Sequence, residues 1–130
     1  MENIFLDNEG TIKIGDFGVS YKKPPPGEET KKKEKIGKVG TIAYWAPEIC
    51  ERGSAFGRQS EASDIWAAGV VLYIMVYGMM PFTSNGNNED QLKKEISRSE
   101  VVYNASASDG CRAFLKTLLD KDIAKRPRPG

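Results

Sequence analysis

No histidine occurs anywhere in the 130 residues. That excludes a Ser-His-Asp triad, a Cys-His dyad and a histidine-rich zinc site built from this chain alone. Cysteine is nearly as scarce: Cys50 and Cys111 stand far apart, without Cys-x-x-Cys spacing or a disulfide-dense pattern. Two such thiols fit a reducing compartment, and the expected location is cytoplasmic or nuclear. Neither sign of charge is in excess. Nineteen basic residues meet eighteen acidic ones, a formal charge of +1, so neither a nucleic acid nor an anionic membrane is an expected partner. No apolar run reaches the ~20 residues of a bilayer span. The longest candidate, Ile65 to Met80, is shorter and is broken by Gly69 and Gly78. Met1-Glu2-Asn3-Ile4-Phe5-Leu6-Asp7 has neither a basic start nor a long apolar core, which predicts no signal peptide.

What is present is the composition of a folded chain, 39% hydrophobic and 28% charged, in a length suited to one domain rather than two. Ile4-Phe5-Leu6 and Thr11-Ile12-Lys13-Ile14 flank Asp7-Asn8-Glu9-Gly10, the pattern of strand, turn and strand. Residues 22–38 change character: Pro24-Pro25-Pro26 and Lys31-Lys32-Lys33-Glu34-Lys35 predict an exposed loop. Order returns at Val39. A second loop over Arg52 to Ser60 leads into an apolar helix over 62–78, with Ser60, Ser63 and Asp64 as capping candidates and Pro81 beyond Gly78 as a stop. A helix apolar on every face is the buried centre of a globular protein. A short polar helix is predicted over 89–98. An amphipathic one follows over Asp109 to Leu119, with Cys111, Phe114, Leu115, Leu118 and Leu119 on its inward face.

Four short motifs stand in order on this frame. Asp16-Phe17-Gly18 follows the hairpin, thirteen positions after Asn3. Ala46-Pro47-Glu48 closes the loop region, Asp64-Ile65-Trp66-Ala67-Ala68-Gly69 opens the apolar helix, and Lys125-Arg126-Pro127 stands near the end. In this order they resemble the eukaryotic-type serine/threonine protein kinases, whose Asp-Phe-Gly and Ala-Pro-Glu signatures bracket the activation segment. The resemblance covers nearly the whole chain. It implies an α+β, mainly helical C-terminal lobe with a small N-terminal β-hairpin. Residues 1–130 would be a partial kinase domain, from the end of the catalytic loop to near the end of the lobe, with an activation segment at 16–48. Within the family, Asp16-Phe17-Gly18-Val19-Ser20 and Val76-Tyr77-Gly78-Met79-Met80-Pro81-Phe82 look most like the calcium/calmodulin-dependent kinase kinases.

The resemblance implies ATP and Mg²⁺ as cofactors and a protein with a Ser/Thr acceptor as substrate. Hard cations take oxygen ligands; Asp16 would supply a carboxylate and Asn3 an amide oxygen. Phe17 would be the switch aromatic that packs inward when the site is active, ordinary core packing being the other reading, and Gly18 the pivot of the following loop. Thr41, in Gly40-Thr41-x-x-Tyr44, resembles the serine/threonine form of the substrate-docking loop, where a hydroxyl positions the acceptor. Glu48 and Arg126 would pair to tie that loop to the lobe, and Asp64 would hold the catalytic loop's backbone. Thr30, with Ser20 in the same loop, is a candidate phosphorylation site. Lys31, Lys32, Lys33 and Lys35 stand beside Thr30 to receive a phosphate, and a solvated loop with an incidental threonine is the other reading.

The departures from the family pattern carry equal weight. Only Met1 and Glu2 precede Asn3, where the family has a His-Arg-Asp-x-Lys-Pro run with the catalytic base. The Gly-rich loop, the nucleotide-anchoring lysine and its glutamate belong to an N-terminal lobe that would be the chain's partner. The expectation is therefore a kinase portion inactive by itself, the alternative being a non-catalytic lobe that binds partners or decoys substrates. With one side of the apolar helix uncovered, the chain is expected to self-associate. Gel filtration at micromolar concentration checks this, and a monodisperse monomer that melts cooperatively overturns it.

Overall fold

In a computed structural model the described residues are 2–18, 20, 40–51 and 60–128. They belong to two compact units, within residues 1–35 and 36–130, each described by itself. The first is an antiparallel hairpin of β1 (Ile4–Leu6) and β2 (Ile12–Ile14). Its register pairs Ile4 with Ile14, Phe5 with Lys13 and Leu6 with Ile12. The turn is set by Asp7, whose Oδ1 accepts from the backbone N–H of Glu9 at 3.0 Å and of Thr11 at 2.8 Å. These bonds, the Thr11 bond foremost, hold the Asp7 carboxyl below the usual range. Gly10 completes the turn at φ 78°, a left-handed angle costly for residues with a Cβ. Every strand residue is exposed.

The second unit holds a 3-10 turn (Ile42–Tyr44) and four helices: α1 (Pro47–Cys50), α2 (Glu61–Tyr77), α3 (Glu89–Arg98) and α4 (Asp109–Leu118). Each longer helix is started by a side chain that accepts an orphan N–H of the first turn: Ser60 from Ser63 for α2, Asn88 from Gln91 for α3 and Ser108 from Cys111 for α4. Gly78 ends α2 in the left-handed region at φ 69°, and its N–H donates to the Ile74 carbonyl at 2.8 Å.

The core gathers Trp45, Ala46, Ile49 and Cys50 around α1, Trp66, Val70 and Tyr73 from α2, and Phe82, Ile96, Leu115 and Leu119. Trp66, Val70, Ile96 and Leu115 are fully buried; burying each large apolar side chain contributes ~1.5–3 kcal/mol. Tyr73 adds a directional tie, its hydroxyl donating to the Val102 carbonyl at 2.7 Å. Cys50 and Cys111 form no disulfide. Among the described residues no helix is long and apolar enough to cross a membrane.

Two inward assignments change. The apolar helix is buried along one stripe, through Ser63, Trp66, Gly69, Val70 and Tyr73, while Met75 stays 69% exposed. On α4, Leu115 and Leu118 are buried and Phe114 points outward. In a helix 3.6 residues long per turn, positions 111, 115 and 118 share a face that leaves 114 at its edge.

α4 and the residue after it pack tightly against α2 at Gly69. A Cβ there would lie 2.8 Å from Leu118 Cβ and 2.9 Å from Leu119 Cδ2, closer than carbon atoms pack. Gly69→Ala is therefore expected to destabilise by ~1–3 kcal/mol through overpacking, against the ~1 kcal/mol of helix propensity that alanine gains. Thermal unfolding of the two chains measures this, and a stabilised variant would show that the helices do not meet here.

Candidate functional site

The first cluster grows from the hairpin. Gly15 N–H donates to the Asn3 carbonyl at 2.9 Å, closing the strands just before Asp16. Antiparallel pairing thus carries residues thirteen positions apart to one end of the hairpin, where Asn3 Nδ2 lies 3.4 Å from Asp16 Oδ2. Both are exposed. Asp16 takes φ 59°, the left-handed region that aspartate tolerates better than most side chains. Its Oδ1 accepts from Gly18 N–H at 3.3 Å, and Ser20 Oγ donates to the Phe17 carbonyl at 2.7 Å, so the peptides after Asp16 curl around it. The positive angle thus falls on Asp16 and not on Gly18. Phe17 is 67% exposed rather than packed inward.

The second cluster lies wholly within residues 36–130. Thr41 is exposed and caps the 3-10 turn through its backbone, its carbonyl accepting from Tyr44 N–H at 3.0 Å. Pro47 opens α1 with the φ a first helical position needs, and the next residue is Glu48. Arg126 grips Glu48 with a two-pronged bond, Nη1 to Oε1 at 2.8 Å and Nη2 to Oε2 at 2.7 Å. Two more of its N–H groups are bonded: Nε donates to the Asp120 carbonyl at 2.8 Å and Nη1 to the Ala62 carbonyl at 2.9 Å. The Arg126 side chain is fully buried and that of Glu48 is 17% exposed.

Trp66 lies directly against this pair, with the Arg126 guanidinium 5.1 Å from its ring centroid. Lys121 stands 4.4 Å over Phe82 and 5.6 Å over Trp66, and its Nζ donates to the Ile96 carbonyl. Cations over aromatic faces are stabilised by the ring quadrupole. Burial lowers the Lys121 pKa. The Trp66 indole N–H is buried without an acceptor among the described residues. Ser63, read from the sequence only as a cap, also donates to Glu48 Oε1 at 3.1 Å; no sequence signal separates that role from capping. Asp64, exposed in the first turn of α2, has no side-chain bond among the described residues. The structure thus brings Asn3 to Asp16 and Glu48 to Arg126. Thr30 and its neighbouring lysines lie outside the described residues.

The protein kinase domain family matches residues 1–129, and the chain belongs to that family. Its curated relatives include the putative ribosomal protein S6 kinase alpha-2 of Caenorhabditis elegans, 35% identical over 128 residues, 97% of this chain and 16% of that protein. The CBL-interacting serine/threonine-protein kinase 15 of Arabidopsis thaliana is 32% identical over 121 residues, 92% of this chain and 26% of its own length. The serine/threonine-protein kinase ssp1 of Schizosaccharomyces pombe is 35% identical over 128 residues, 95% of this chain and 19% of its own. The chain therefore spans only about a sixth to a quarter of the length of these three relatives.

Protonation follows from these surroundings. Burial alone would raise the Glu48 pKa, but the Arg126 hydrogen bonds and charge, with help from Ser63, outweigh it and hold the carboxyl below the usual glutamate range. The stability this pair contributes is present above the ordinary glutamate pKa and is lost as pH falls through the lower folded value. Asp64 keeps contact with solvent, yet partial desolvation of its carboxyl by the surrounding chain, and then the neighbouring Glu61 charge, raise its pKa, so ionised Asp64 destabilises the fold once pH rises past the unfolded aspartate range. Asp64→Asn is expected to raise the Tm of this chain at pH 7 and to have no effect at pH 3, where both forms are neutral. Glu48→Gln is expected to lower it at pH 7 by breaking a buried pair, at a cost of ~3–5 kcal/mol. Thermal melts at the two pH values decide both signs.

Proposed function

We propose that this chain is the C-terminal-lobe portion of a serine/threonine protein kinase that moves the ATP γ-phosphate to Ser or Thr hydroxyls of protein substrates. The observation that carries the reading is the meeting of Asn3 and Asp16 at the end of the hairpin, 3.4 Å apart and exposed. One amide oxygen and one carboxylate are the donor set of a hard cation that keeps most of its water and phosphate ligands. The donors therefore fit Mg²⁺ shared with a nucleotide, held by Asp16 and Asn3. Bound there, Mg²⁺ would neutralise phosphate charge during transfer.

The chain's own residues take the remaining roles. Gly18 N–H and the Asp16 carboxylate hold each other, which fixes the carboxylate's aim. Phe17 and Gly18 border the nucleotide side of the activation segment, 16–48. Thr41 positions the substrate hydroxyl, at the head of a segment whose far end, Glu48, is anchored by Arg126. Asp64 is the acceptor for the catalytic loop's backbone, and Thr30 the candidate phosphosite. The rest of the kinase supplies the base, the anchoring lysine and the N-terminal lobe. General-base catalysis alone contributes ~10²–10⁴-fold, so this chain by itself turns over no substrate and binds ATP weakly. The proposed compartment is cytoplasmic or nuclear.

A second reading is favoured by one observation. The docking segment 41–48 belongs to a unit whose core lies within residues 36–130, so a lobe without catalysis retains a surface for partners. Incubating the purified chain with ATP, Mg²⁺ and a generic basic protein is expected to give no phosphate transfer. Transfer that Asp16→Ala abolishes would overturn the inactivity. Immunoblotting a lysate of the source cells separates the readings: a species well above 14.4 kDa supports the kinase portion, and one at that mass supports the binding module.

A further inference from the structure

Three oxygen-bearing side chains converge where the first turn of α2 meets α1. The Ser60 hydroxyl accepts from Ser63 N–H at 3.3 Å, and Ser63 Oγ accepts in return from Ser60 N–H at 3.1 Å. The two hydroxyl oxygens lie 3.1 Å apart, and Ser63 Oγ lies 3.1 Å from Glu48 Oε1. Proton accounting fixes the direction of each bond. Ionised Glu48 can only accept, and a hydroxyl carries a single proton. Ser63 must therefore donate to Glu48, and Ser60 must donate to Ser63. The result is a one-way chain from the helix cap to a carboxylate whose other side is held by Arg126.

A capping box needs only the reciprocal bonds between the cap and the third helical residue, where glutamate or glutamine usually stands. Serine at that position has a shorter arm. Ser63 nevertheless reaches back to Ser60 N–H and, from a buried position, forward to Glu48. We propose that Ser63 is a positioning residue: its buried hydroxyl holds the Glu48 carboxylate in register with Arg126 and thereby ties the end of the segment 41–48 to the first turn of α2. The hydrogen bond to a charged acceptor is the strong member of the set, and Ser63 supplies it without adding a second charge to the buried site. Of the charged groups on the surrounding elements, Arg126 touches Glu48, and Lys121 lies over Trp66 and Phe82. Glu61 and Asp64 occupy the first turn of α2, Glu51 ends α1, and on α3 Lys93 is engaged with Glu89 and Asp90.

The test follows the Glu48 side-chain carboxyl carbon by NMR through an acid titration of the whole 130-residue chain. Ser63→Ala is expected to raise the proton affinity of Glu48 about tenfold, the worth of a hydrogen bond to a charged group. Ser63→Thr restores the original value. Ser60→Ala, which removes the cap and keeps the Ser63 donor, leaves the affinity where it was while lowering the Tm. An unchanged affinity in Ser63→Ala overturns the proposal and leaves Ser63 a cap only. Should that variant not fold, Ser63→Cys keeps the volume and exchanges the hydroxyl for a poor donor; a raised affinity there supports the proposal and an unchanged one overturns it. The bearing on substrate docking rests on the reading of 41–48 given above. The proton affinity of Glu48 does not, so the two can fail separately.

Discussion

The larger unit depends on one ion pair. Glu48 and Arg126 stand 78 positions apart in the chain and meet in a two-pronged bond at 2.7 and 2.8 Å. Both charges leave bulk water to make it, and such a loss is offset only when the geometry is good and further hydrogen bonds are made. Here four of the five guanidinium N–H groups are matched, since Arg126 also serves the carbonyls of Asp120 and Ala62, and Glu48 also accepts from Ser63. The pair therefore joins α1, the first turn of α2 and the C-terminal segment at one point. Trp66 covers it, so the polar knot and the apolar core share a wall.

The hairpin obeys a different logic. Its order comes from a local turn and a few backbone bonds, and its apolar side chains remain in contact with solvent. Two strands alone bury too little to be rigid in isolation. What they do supply is register. The pairing of Ile4 with Ile14 delivers Asn3 and Asp16 to the same end, and the left-handed backbone at Asp16 turns the chain immediately afterwards. Backbone strain of this kind concentrates where function needs a fixed side-chain direction.

Much of this was legible because its causes are local. The hairpin could be read from the Asp7 to Gly10 turn, and α2 to within about a residue because Ser60 caps it and Gly78 stops it. The polar helix over Glu89–Arg98 has the predicted ends because Asn88 starts it and Ser99 closes it. The 3-10 turn at Ile42–Tyr44 and the four-residue α1 were not anticipated, since neither is long enough to show a period. Phe114 was expected inward and is exposed; an aromatic residue at the edge of an apolar face turns inward only where a neighbouring element covers it. The second bond of Ser63 was hidden for a related reason. A serine three residues after a cap looks complete as a capping partner, and nothing local reveals a carboxylate brought in from α1.

The sequence by itself determined the composition class, the exclusion of histidine chemistry, the hairpin and the three longer helices in their order, and the four motifs that place the chain among protein kinases. Those properties reside in residue identity and short-range spacing, which folding does not alter. Only the tertiary structure decided which face of α2 is buried, how closely α4 approaches it at Gly69, and that Arg126 satisfies two carbonyls while it holds Glu48. Those outcomes depend on groups far apart in the chain competing for the same buried space, where a charge is retained only if the whole surrounding set of donors and acceptors closes around it.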